Sequence, residues 1–97
     1  MYKLALLNDV KTALRISHNT LDGEIEDIID SARHDLKLSG IFAIKADSET
    51  DVDPLIKRAI IIYCKAHFYP DNVTAERFQR SYDMLKNHLS LAGDYRE

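Results

Sequence analysis

The chain has one cysteine, Cys64, so no disulfide can form within it. That thiol lies in the apolar run 59–64, which predicts a buried side chain in a reducing compartment rather than a nucleophile. Glycine is scarce as well, at three residues. Phosphate cradles and oxyanion loops need glycine-rich backbone, so neither is expected. Long apolar stretches are missing. The run 59–64 is the longest, and a membrane-spanning helix needs roughly 20 residues. Residues 1–7 are too few for the apolar region of a signal peptide. Positive charge is also short: 16 Asp and Glu against 13 Lys and Arg leave a formal net charge of −3. Such a chain does not hold nucleic acid by bulk charge. A soluble cytoplasmic product is expected.

What remains is a helical pattern. With 97 residues the chain suits a single domain, 1–97, burying roughly 60–70% of its unfolded surface. A first helix is predicted from Asn8 as N-cap, with Val10, Ala13 and Leu14 on one face, broken at 18–20. A second, capped by Thr20 or Asp22, runs to about Leu38 and places Ile25, Ile28, Ile29, Ala32 and Leu36 at helical spacing. Glu24, Glu26 and Asp27 favour the positive end of its dipole, and Arg33 and Lys37 the negative end. Gly40 is the expected stop.

Residues 41–44 are read as a short extended piece, and 46–53 as an exposed polar loop. The third helix has the clearest start, with Asp53 as N-cap and Pro54 in the first helical position, where a missing N–H costs nothing. Leu55, Ile56, Ala59, Ile60, Tyr63, Ala66 and His67 form its stripe, and Pro70 ends it. A fourth helix, from near Thr74 to about Leu91, carries Ala75, Phe78, Tyr82, Leu85 and Leu89 on one face. After Gly93, residues 94–97 are expected to fray. The fold class is all-α: a small bundle of about four helices, with one long loop between helices two and three.

No catalytic, metal or cofactor-binding residue is predicted. Asp47, Glu49, Asp51 and Asp53 alternate through the long loop as calcium ligands can. The calcium-loop pattern also needs glycine at its sixth position and a carboxylate at its twelfth, and Val52 and Arg58 stand there instead. His18, His34, His67 and His88 form no His-x-x-x-His pair, and Cys64 with His67 falls short of a zinc set. Arg77, Arg80 and Lys86, with Tyr82 between, are candidates for weak DNA contact, although Glu76 and Asp83 interrupt them. A helix-turn-helix reader is disfavoured because the second helix is acidic at its leading end, which repels phosphate.

One feature survives. The third helix is apolar over more of its circumference than a small bundle readily covers, with Ile61, Ile62 and Phe68 beside or opposite the main stripe. Phe68, Tyr69 and Phe78 flank the connection to helix four. Ile61, Ile62, Phe68 and Phe78 are therefore the subunit-interface candidates. A fully internal third helix is the alternative reading of the same pattern.

The run Asp9-Val10-Lys11-Thr12-Ala13-Leu14-Arg15-Ile16, the acidic second helix from Asp22 with Ala32, the Asp53-Pro54 start of an apolar helix and a last helix to Leu91 form one ordered pattern. It resembles the phage head–tail connector proteins, also called adaptor or DNA-packaging proteins, over roughly residues 6–91. The resemblance implies a non-enzymatic structural protein of the virion, assembled in the host bacterial cytoplasm. It implies a homo-oligomeric ring of about a dozen copies that docks on the phage portal protein and extends the DNA channel toward the tail. The implied partners are other copies, the portal, a head-completion or tail-completion protein, and DNA passing without sequence specificity. No membrane and no cofactor are implied. A small helical nucleic-acid-associated regulator is the alternative.

Overall fold

The computed structural model describes residues 2–48, 52–68 and 72–96. Among the described residues, four long helices and one single-turn helix make up an all-α bundle. Glu49 and Asp51 of the acidic loop, and Tyr69 and the expected stop at Pro70, lie outside the described residues.

Helix α1 spans Tyr2–Leu14 and starts earlier than the Asn8 cap predicted. Leu6, Leu7, Val10 and Leu14 are all buried, so the apolar stripe extends back past Asn8, which sits exposed inside the helix. The helix ends in a Schellman turn. Ile16 N–H donates to the Lys11 carbonyl at 2.9 Å and Arg15 N–H to that of Thr12 at 3.1 Å. Arg15 takes the left-handed position at φ 61°, where glycine is the usual residue.

Helix α2 spans Asp22–Leu38. Neither predicted cap is used: Leu21 holds the N-cap position without a side-chain bond. The Asp22 carboxylate is turned instead toward Lys11 Nζ, 2.7 Å away. Ile25, Ile29, Ala32 and Leu36 face the core, as their spacing predicts. The Gly40 stop is present, at φ 93°. Gly40 N–H donates to the Lys37 carbonyl at 3.0 Å and Ile41 N–H to that of Leu36 at 3.2 Å. Ile41 and Leu36 are both fully buried, supplying the apolar contact that accompanies such a turn.

The extended piece expected at 41–44 is limited to its first residue. Ile41 makes an isolated antiparallel bridge to Arg96, and the chain then turns into α3, Ala43–Ala46.

Helix α4, Pro54–Phe68, is the centre of the molecule and packs against α1, α2 and α5. Asp53 caps it as predicted, accepting N–H bonds from Leu55 at 3.0 Å and Ile56 at 3.2 Å. Its buried set is Ile56, Ala59, Ile60, Cys64 and Ala66. Leu55 and His67, assigned above to the stripe, are exposed. The residue that continues the buried line is Cys64, four after Ile60. Leu55 and His67 stand one helical step, about 100°, from core residues Ile56 and Ala66.

Helix α5 spans Asn72–Leu91, starting two residues before the predicted Thr74. Tyr82 and Leu89 are its fully buried residues.

The fraying expected at 94–97 is not what the described residues 94–96 show. Tyr95 N–H donates to the Ala92 carbonyl at 3.0 Å, and the Tyr95 carbonyl accepts from Phe42 N–H at 2.7 Å. The Tyr95 hydroxyl reaches both Asp53 carboxylate oxygens, at 2.9 and 3.0 Å, while Lys45 Nζ lies 4.9 Å from the ring centre. One carboxylate therefore starts α4 and anchors the turn after α5. Asp53→Ala is expected to lower stability by about 2 kcal/mol, roughly half from the lost cap and half from the lost hydrogen bond of Tyr95. Tyr95→Phe should lose only the second half. Urea denaturation of the two variants measures the split, and equal losses would show that the cap contributes nothing.

Candidate assembly surface

Between α4 and α5 lies an open cleft of about 550 Å³. Its apolar lining includes Leu55, Ile61, Ile62 and Phe78, with Ser81 of α5 beside them. Arg58, Ile61, Ile62 and Lys65 recur at helical spacing and so share one side of α4, the side that lines the cleft with Phe78 and Ser81 of α5. The rim is cationic. Lys57, Arg58 and Lys65 line the cleft, and among the described residues no carboxylate does. Lys57 is held by Asp9 at 3.0 Å, and Lys65 Nζ lies 5.3 Å from the Phe78 ring centre. Arg58 is exposed.

Three of the four interface candidates thus share one cleft. The fourth, Phe68, does not line it; it is half-buried at the end of α4, packed against the core. Sequence reasoning missed Leu55 and the basic rim. Reading α4 as a helix with its core line on Cys64 would have put both on the outer side.

The DNA-contact candidates separate. Arg77 and Arg80 are exposed on α5. Lys86, farther along α5, is half-buried and ion-paired to α2. Its ammonium donates to Asp35 Oδ2 at 3.0 Å and lies 5.2 Å from the Tyr82 ring centre. The Tyr82 hydroxyl donates to the same oxygen at 2.6 Å. Tyr63 meets the Tyr82 ring edge-on at 5.0 Å and stacks on His67 at 4.1 Å. Burial alone raises the Asp35 carboxyl pKa, but the hydrogen bonds from Tyr82 and Lys86 outweigh it and hold the group below its ordinary range. Burial, joined by the Asp35 hydrogen bond, pushes the Tyr82 hydroxyl far up, so it stays a donor.

Cys64 is fully buried, and burial pushes its thiol up to about 12. It stays a thiol at neutral pH. Among the described residues no three His, Cys, Asp or Glu side chains are grouped to hold a metal ion. Of the acidic loop, Asp47 is paired with Lys37 at 2.8 Å and Asp53 is the α4 cap. No helix among the described residues is long and apolar enough to cross a membrane.

The model of a family described as "Phage connector protein" matches residues 6–96 of the chain. The chain belongs to the phage connector protein family. The head–tail connector resemblance is thereby shown, and with it a structural role in the phage particle. Neither the curated proteins nor the solved structures compared with it gave a match.

The connector's opening motif now has a physical account. Asp9 pairs with Lys57 of α4. Val10 and Leu14 enter the core. Lys11, nearly buried, donates to Asn19 Oδ1 at 2.8 Å and pairs with Asp22. Arg15 and Ile16 make the turn into the loop. The motif therefore clamps α1 to both α2 and α4 and leaves the α4–α5 cleft open.

Proposed function

We propose that the connector assembles into a homo-oligomeric ring that docks on the phage portal protein and extends the DNA channel toward the tail, where a head-completion or tail-completion protein meets it. It performs no catalysis and is assembled in the host bacterial cytoplasm. The observation that carries this reading is the α4–α5 cleft, which holds Ile61, Ile62 and Phe78 at the surface of a connector-family subunit. Apolar surface of this kind on a small protein marks a place where another chain sits. The test is to express the connector with the portal protein of the same phage and to image the purified particles by electron microscopy. A ring of added density below the portal is expected. A portal unchanged by the connector would overturn the reading.

DNA is met as a passing polymer, so the isolated subunit is expected to bind duplexes weakly and without sequence preference. With a net charge of −3 and Lys86 held by Asp35, only Arg77 and Arg80 of the α5 candidates remain to meet phosphate. Two such contacts release few counterions, so binding should vanish in moderate salt. Fluorescence anisotropy against random and phage duplexes across a salt series measures this. Tight, salt-resistant binding to one sequence would favour the nucleic-acid-associated regulator instead.

A further inference from the structure

Two surfaces of the connector complement each other and belong to different helices. The first is the α4–α5 cleft, with an apolar lining and a cationic rim. Among the described residues Arg58 makes no ion pair, and Lys65 is met by the Phe78 ring rather than by a carboxylate. The second surface is the outer face of α2. Glu24, Asp27, Ser31, His34 and Leu38 follow one another at steps of three and four residues, with Asp30 beside them, and all six are exposed. Glu24, Asp27 and Asp30 make no ion pair among the described residues. The stripe ends in Leu38, an apolar side chain left 74% exposed.

We infer that the α4–α5 cleft of one subunit receives the acidic outer face of α2 from a second copy, with Leu38 as the apolar anchor. The inference rests on the ring reading above and names the two surfaces that meet. Charge decides the pairing. Cleft against cleft would set Arg58 and Lys65 against their own copies, and α2 against α2 would set carboxylate against carboxylate. Like charges facing each other oppose both arrangements. Two-fold pairing through either surface is thus disfavoured, and cleft against α2 is favoured. A contact between two different surfaces repeats head to tail, which generates a ring when the rotation closes. The lengths also agree: residues 54–65 of α4 and 27–38 of α2 each cover about 16 Å of helix.

The test exchanges the charges. Arg58→Glu with Lys65→Glu reverses the cleft, and Asp27→Lys with Asp30→Lys reverses the α2 face. Circular dichroism checks that both variants fold. Sedimentation velocity, alone and with the portal protein, then measures association. Each variant by itself should associate at least tenfold more weakly than the unaltered connector. An equimolar mixture should regain that association, because each reversed surface then finds its opposite on the other variant. Recovery on mixing is a readout that general destabilisation cannot produce. If both variants associate as well as the unaltered protein, or mixing restores nothing, the docking inference is overturned while the ring reading stands. If only the cleft variant loses the portal, the cleft faces another protein, and the inference is again overturned. If the unaltered connector associates neither with itself nor with the portal, both readings fall.

Discussion

Tyr82→Ala is expected to lower stability by about 3–5 kcal/mol, the range for removing a fully buried aromatic side chain. Among the described residues Tyr82 is the largest fully buried side chain. It fills the space between α5 and α4, where its ring meets Tyr63, and its hydroxyl reaches across to Asp35 of α2. Two other helices, α4 and α2, therefore lose a neighbour at once. Chemical denaturation followed by circular dichroism measures the loss. A cost below about 1 kcal/mol would mean that α5 does not pack on α4 as described.

Tyr82→Phe separates the ring from the hydroxyl. It keeps the aromatic packing and removes the bond to Asp35, at an expected cost of about 1–2 kcal/mol. It should also change the response to acid. The folded Asp35 carboxyl is held below its unfolded value of about 3.9. Its contribution is then fully present above that unfolded value and is lost as pH falls through the lowered folded value. Without the hydroxyl the folded carboxyl binds protons more readily, so the variant should lose stability less steeply than the unaltered protein below about pH 4. An equally steep acid limb in both proteins would count against the network.

The second large effect is expected at the opening motif. Lys11→Ala should cost about 2–3 kcal/mol. The Lys11 side chain is only 8% exposed, whereas its partner Asp22 is 31% exposed. Breaking a fully buried ion pair costs about 3–5 kcal/mol, but Asp22 can recover part of its hydration, which lowers the figure. The alanine also loses the buried lysine stem and the bond to Asn19. Lys11→Met, which restores the stem, should recover about 1 kcal/mol. Thermal melts of the two variants provide the comparison, and equal melting would show that the stem contributes nothing.

These residues also show what was legible beforehand. The all-α class, the Gly40 stop and the Asp53-Pro54 start follow from local rules that act within a few residues, and each is present. So is the burial of Cys64, which its apolar neighbours announced. The features that were not legible depend on partners distant in the chain. Asp22 scores as a helix cap until Lys11 is placed beside it. Lys86 belongs to a basic helix face until Asp35, in another helix, is found within reach. Tyr95 looks like part of a loose tail because its acceptor, Asp53, lies 42 residues earlier. The cleft was legible in part. Ile61, Ile62 and Phe78 were singled out because α4 is too apolar for one face, but only the folded chain shows that Phe68 packs against the core instead.

The same separation between Asp53 and Tyr95 has a consequence in time. Synthesis proceeds at about 5–20 residues per second, so the 42 residues between them take about 2–8 s to make. Helix growth takes microseconds or less. On the ribosome, α4 therefore has its starting carboxylate long before the tyrosine that holds that carboxylate exists. Over the same seconds α5 is still being made, so the isoleucines of the cleft emerge before the helix that forms its other wall. The order of events is set by the order of the chain: the start of α4 first, its lock several seconds later.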